Sequence, residues 1–222
     1  MSGKIFLSGG GSGEQTSSFD KIFFKGVRKI VYIPLAWPNN DFDSCLNWFR
    51  KESERYGKLE IKMLIDLSEK INLNFFDAVY IGGGNTYKLL KKIKESKFDA
   101  KLIKFYNEGK KIYGGSAGAI IFGADINIGN ISIYPDENNV KLKNCSGFNL
   151  LNNYDIQCHF KDNQLDKQKE YLEHSKRNII ALPEESALLI DNNKFLVLGT
   201  RAITVIRPNE VLKYNPKKEV KL

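Results

Sequence analysis

Lys111-Ile112-Tyr113-Gly114-Gly115-Ser116-Ala117-Gly118-Ala119 places a serine among glycines where an extended apolar run gives way to a helix-forming segment. Gly114, Ser116 and Gly118 match G-x-S-x-G, the pattern of a nucleophile elbow. In such an elbow, small neighbours let the backbone turn sharply and hold the serine out towards a substrate. The same spacing also occurs in ordinary tight strand-to-helix turns, so it acquires chemical meaning only from the rest of the chain.

Working outward, Lys111 to Tyr113 predicts the strand that leads into the elbow. Thr86 to Lys97 and Ala100 to Glu108 predict helices, and Ala78 to Ile81 an earlier strand. Lys4 to Leu7 and Lys29 to Pro34 are short apolar runs that predict buried strands. Asp41 to Tyr56 carries Phe42, Cys45, Leu46 and Phe49 at helical spacing, and Leu59 to Ile65 alternates as a strand does. This alternation predicts the α/β class, with a mostly parallel central sheet covered by helices on both faces. The last third differs. Ile156 to Phe160, Ile179 to Leu182, Ala187 to Ile190, Phe195 to Leu198 and Ile203 to Ile206 predict short strands, with Asn192-Asn193 as a hairpin turn. They make a short antiparallel β region near the C-terminus.

The chain has 222 residues with 42% hydrophobic content, enough for one substantial core, so residues 1–222 are expected to form a single domain. No apolar run approaches the roughly 20 residues that span a bilayer, and Met1 to Asp20 lacks a basic start, a long apolar stretch and a cleavage signature. A cytoplasmic protein without membrane contact is expected. The formal charge of +8 comes mostly from lysines spread through amphipathic segments such as Tyr87-Lys88-Leu89-Leu90-Lys91-Lys92-Ile93-Lys94. With no stripe of arginines and aromatics, nucleic acid is not an expected partner. Three cysteines without C-x-x-C spacing and two histidines without H-E-x-x-H argue for reduced thiols and against a zinc site. Gly9 to Gly13 does not fit a dinucleotide fingerprint and predicts a flexible loop beside the site, so no cofactor is expected.

In open α/β sheets, ligands gather beyond the carboxyl ends of the strands, where a second glycine-rich turn, Gly82-Gly83-Gly84-Asn85-Thr86, also falls. Asn85 is a suitable helix N-cap, and backbone N–H groups there would face a developing oxyanion. Gly84 and Ala117 are the candidate donors, with Asn85 and Thr86 as candidate substrate-binding residues. A serine hydroxyl needs a positioned base that is itself oriented by a carboxylate. His174 lies in the polar helical pattern Gln164 to Lys176 and is expected to be exposed, whereas His159 closes an apolar run at a strand end. Glu184, just beyond Ile179 to Pro183, is the candidate carboxylate, with Glu185 as the alternate.

Taken together, Gly82-Gly83-Gly84-Asn85-Thr86, Gly114-Gly115-Ser116-Ala117-Gly118-Ala119, His159-Phe160 and Pro183-Glu184-Glu185-Ser186 resemble peptidase family S51. This is the family of peptidase E (aspartyl dipeptidase) and cyanophycinase. The resemblance implies a class I glutamine amidotransferase-like, flavodoxin-related sandwich with a Ser-His-Glu triad in the chain order Ser116, His159, Glu184. Its oxyanion donors would be the backbone N–H groups of Gly84 and Ala117. Two departures stand out. The Thr- and Asp-containing segment that helps the peptidase E members recognise a dipeptide is replaced here by Ile126-Asn127-Ile128-Gly129-Asn130-Ile131-Ser132, so aspartyl specificity does not carry over. The triad glutamate, flanked there by arginine and glycine, lies here between Pro183 and Glu185.

The expectation is a serine-type hydrolase of a small peptide or isopeptide. The rivals are an esterase or other amide hydrolase on the same scaffold, and a non-catalytic binding protein in whose pocket His159 cannot reach Ser116.

Overall fold

The computed structural model describes residues 2–192 and 194–222. Its strands are β1 (Lys4–Ser8), β2 (Lys29–Ile33), β3 (Glu60–Met63), β4 (Ala78–Ile81), β5 (Lys111–Gly115) and β6 (Tyr154–Gln157). They continue with β7 (Asn178–Ala181), β8 (Ser186–Asp191), β9 (Lys194–Gly199), β10 (Ile203–Arg207), β11 (Glu210–Tyr214) and β12 (Glu219–Val220). The α-helices are α1 (Ser17–Phe24), α2 (Phe42–Glu54), α3 (Thr86–Glu95), α4 (Phe98–Asn107), α5 (Ala117–Ile120) and α6 (Leu165–Ser175).

An eight-stranded sheet runs in the order β12-β9-β8-β1-β5-β4-β2-β3. Its β1, β5, β4, β2 and β3 are mutually parallel, while β8, β9 and β12 are added antiparallel. Parallel strands are buried on both faces, which is why they read as unbroken apolar runs. Within each strand the side chains alternate between two cores. Ile5, Leu7, Val31, Ile33, Val79 and Ile81 face α3, α4 and α5, whereas Phe6, Ile30, Tyr32, Ala78 and Tyr113 face α1 and α2.

α1, which the periodicity does not predict, is held by Phe19 and Phe23, spaced one turn apart and both fully buried. Phe23 meets the ring of Phe6 edge-on at 5.4 Å. Truncating either ring to alanine would cost about 3–5 kcal/mol.

The C-terminal strands divide into two groups. β8, β9 and β12 extend the main sheet, while β6, β7, β10 and β11 form a separate four-stranded sheet in the order β11-β10-β7-β6. In that second sheet β6 and β7 are parallel and the rest antiparallel. Its inward residues Ile156, Ile180 and Val205 join the core of the α3–α5 face. The strand expected over Ile156 to Phe160 ends at Gln157, because His159 takes a left-handed backbone (φ 55°) and its N–H leaves the sheet to reach Gly9 O at 2.9 Å. Asp191 and Lys194 pair across the β8–β9 hairpin; of the expected turn Asn192-Asn193, Asn193 lies outside the described residues. Among the described residues no helix is long and apolar enough to cross a membrane, and the three cysteines are free thiols.

Candidate active site

The carboxyl ends of β1, β4 and β5 lie side by side and deliver Ser8, Gly82 and Ser116 to one edge of the sheet. The elbow is strained as its pattern predicts. Ser116 has φ 52° and ψ −114°, a conformation that costs a non-glycine residue about 1–3 kcal/mol. Close packing enforces the turn. A Cβ on Gly114 would collide with the Gly118 carbonyl, and one on Gly118 with the Ile81 carbonyl, so both positions require glycine. The Ser116 N–H is tied to Ser8 O at 3.2 Å.

The parallel β6–β7 register, which pairs Gln157 with Ala181, sets His159 and Glu184 just beyond adjacent strand ends. Phe160 N–H donates to Leu182 O at 3.1 Å and Leu182 N–H to Gln157 O at 2.7 Å, fixing the two segments against each other. Ser116 Oγ lies 2.8 Å from His159 Nε2, and His159 Nδ1 lies 2.9 Å from Glu184 Oε1. His159 is thus within hydrogen-bond reach of Ser116. The structure brings Glu184 to the histidine, while the alternate, Glu185, turns its carboxylate towards Arg201 at 3.9 Å. Burial works against the Glu184 anion, but the hydrogen bonds from His159 and Gln15 outweigh it and hold the carboxyl below its ordinary range. His174 is exposed on α6, as expected.

The expected flexible loop at Gly9 to Gly13 is instead tied down beneath the histidine. Gly9 N–H donates to Ser186 O at 3.0 Å, and Gly9 O accepts from His159 N–H. Gly10, at φ +102°, passes so close under the imidazole that a Cβ there would sit 2.5 Å from Nε2. Only glycine has both the conformation and the clearance. Gln15 follows this loop, and its Nε2 donates to Glu184 Oε2 at 3.1 Å, so each oxygen of that carboxylate has a donor. Nothing in the sequence singled out Gln15.

A cavity of about 500 Å³ opens over Ser116 and His159. Trp37, Gly84, Asn85, Gly129, Tyr134 and Asp136 are among the residues that line it. The N–H groups of Gly84 and Ala117 donate to no other described residue. Asn85 caps α3 by accepting from Lys88 N–H at 2.9 Å and still lines the cavity. Thr86 departs from expectation. It is fully buried, and both its N–H and its hydroxyl are given to Asp136 Oδ2, so its side chain is not free for a substrate. Asp136 and Tyr134, which packs edge-on against His159 at 5.3 Å, come from a loop without periodicity and carried no sequence signal.

The family model for peptidase family S51 matches residues 5–198, which takes in both glycine-rich turns, His159 and Glu184. The chain belongs to peptidase family S51. Membership makes it a hydrolase of the peptidase class. Among curated S51 relatives, a peptidase E of Haemophilus influenzae (strain PittGG) is 30% identical over 198 residues, covering 82% of this chain and 80% of its own length. A peptidase E of Actinobacillus pleuropneumoniae serotype 5b (strain L20) is 26% identical, covering 81% and 78%. The fold is shared with the crystal structure of a peptidase from an acI-B1 Actinobacterium, at TM-score 0.74 and 18% identity over 100% of this chain and 98% of that one. A putative peptidase E from Listeria monocytogenes EGD-e gives TM-score 0.67 and 21% identity over 90% and 99%. In this S51 chain, β10, β11 and β12 lie beyond the family match, although β10 and β11 complete the small sheet whose β6 and β7 lead to His159 and Glu184.

Proposed function

We propose that this S51 chain is a serine-type peptidase that cleaves a small peptide or isopeptide through a Ser116–His159–Glu184 triad and an acyl-enzyme. The observation that carries the reading is the unbroken chain of contacts, 2.8 Å from Ser116 Oγ to His159 Nε2 and 2.9 Å from His159 Nδ1 to Glu184 Oε1. In this mechanism Ser116 Oγ attacks the scissile carbonyl as His159 Nε2 takes its proton. Glu184 holds the Nδ1–H tautomer and stabilises the imidazolium that forms. The N–H groups of Gly84 and Ala117 receive the oxyanion, and His159 then passes its proton to the leaving amine. Water, activated by the same imidazole, releases the acyl product. A cavity of about 500 Å³ suits a substrate of a few residues rather than a folded protein.

The test is labelling with a fluorophosphonate probe, with the adduct located by peptide mass. Labelling at Ser116 that is lost in both Ser116→Ala and His159→Ala is expected. Undiminished labelling of folded His159→Ala would overturn the mechanism. Parity between p-nitrophenyl esters and a dipeptide library in turnover would favour the esterase rival.

A further inference from the structure

Gln15 ends the short 3-10 turn Gly13–Gln15 that follows the loop beneath His159, and its amide has two partners. Oε1 accepts from Ser12 N–H at 3.3 Å, and Nε2 donates to Glu184 Oε2 at 3.1 Å. Ser12 N–H can only donate and an ionised carboxylate can only accept, so these partners fix which end of the amide faces which. Anchoring the segment does not account for the second bond. The segment is already held by Gly9 N–H on Ser186 O at 3.0 Å and by Gly13 N–H on Glu52 Oε2 at 2.8 Å. Between them Gly11 packs so closely that a Cβ there would sit 2.5 Å from Glu184 O. The cap on Ser12 needs only an acceptor at position 15, which a glutamate would supply as well. What the amide adds is a neutral donor aimed at the carboxylate oxygen that His159 leaves free.

We propose that Gln15 is a positioning residue for the reaction: acting through Glu184, it holds Oε1 on His159 Nδ1 and keeps the carboxylate ionised without neutralising it. The inference rests on the triad reading and adds a fourth side chain to it. The last torsion of a glutamate side chain is broad rather than confined to narrow wells. With a donor on Oε1 alone, the carboxylate could swing about that torsion and carry the imidazole off Ser116. A donor on each oxygen fixes the rotation, and with it the 2.8 Å contact between His159 Nε2 and Ser116 Oγ. The lack of charge on the donor matters too. A lysine or arginine at position 15 would draw the carboxylate's charge away from the imidazolium that forms during attack, whereas an amide leaves it there. Burial works against the Glu184 anion; the hydrogen bonds from His159 and Gln15 favour it, as do the charges of Lys161 and of a protonated His159, the titratable groups that face it.

The test measures the second-order rate of fluorophosphonate labelling at Ser116 from about pH 5.5 to about pH 8, in native protein and in Gln15→Glu. The variant retains an acceptor for Ser12 N–H but, once ionised, cannot donate to Glu184 and sets a like charge against it. At about pH 8 it is expected to label about 10-fold or more slowly than native protein, as loss of a hydrogen bond to a charged group implies. At about pH 5.5 the introduced carboxyl and Glu184 share a proton and the donor is restored, so the deficit relative to native protein should shrink to about threefold or less. A native rate at every pH would reduce Gln15 to a cap for Ser12 and overturn the proposal. A deficit of constant size, the mark of a displaced loop, would overturn it as well. Should Gln15→Glu fail to fold, carbon NMR titration of the Glu184 carboxyl in Gln15→Met takes its place: titration at higher pH than in native protein is expected, and an unchanged midpoint would overturn the proposal. Absence of labelling in folded native protein would remove the triad reading and this inference together, whereas labelling of native Ser116 with any of the overturning results would remove this inference alone.

Discussion

Asp20 gives a pH dependence of stability that can be worked from its surroundings. It lies in α1, 7% exposed, with Oδ2 accepting from Thr16 Oγ1 at 2.6 Å and Oδ1 without a partner. Burial is the main cause that pushes its carboxyl from 3.8 to about 6, with the charge of Glu52 adding to it and the Thr16 hydrogen bond opposing it. Between these two values the folded state binds more protons than the unfolded chain, so stability falls as pH rises. Below about pH 4 both states are protonated and there is no penalty; above about 6 it is fully developed. A shift of about two units at 1.36 kcal/mol each makes it about 3 kcal/mol, a large share of the 5–15 kcal/mol typical of a domain. Asp20→Asn keeps an acceptor for Thr16 and removes the titration. Urea unfolding of both proteins from pH 4 to 7.5 should show the variant gaining about 3 kcal/mol on the native protein across that range, or roughly 1–3 M in midpoint. Parallel pH profiles for the two proteins would refute the reasoning. The consequence reaches the site, because Thr16 and Asp20 begin the helix that follows the loop beneath His159.

Gly10→Ala should cut the fluorophosphonate labelling rate by about 100-fold, since the added methyl must displace the imidazole or the loop. A native labelling rate in the variant would show that the close passage is immaterial. Glu184→Gln should lower the same rate by up to about 10⁴-fold by removing the anion that orients and stabilises the imidazolium, whereas Glu185→Gln should leave it within about threefold; the reverse ranking would reassign the acid.

The parts of this molecule that could be read from sequence are those whose cause is local. The parallel strands are legible because burial on both faces leaves no polar residue in Val31–Ile33 apart from Tyr32, whose hydroxyl is satisfied against Cys45. The elbow is legible because its glycines are demanded by atoms a few residues away, Gly114 by the carbonyl of Gly118. His159 is legible by elimination, as one of two histidines. The choice between Glu184 and Glu185 was not legible, because it depends on how the β6–β7 pair aims the turn that follows it, and neighbouring identical side chains give no sign of direction. The division of the C-terminal strands between two sheets was hidden for a related reason: strand periodicity reports which face is buried but not which partner covers it. Gln15 and Asp136 mark the limit most clearly. Gln15 reaches Glu184 across 169 positions of chain, from the short 3-10 turn Gly13–Gln15, and Asp136 reaches Thr86 across 50, from a loop. Such residues acquire a role only when the fold has brought a partner to them. The side chains that hold the proposed base's carboxylate and colour the cavity with charge are therefore the ones that composition, periodicity and motif spacing pass over.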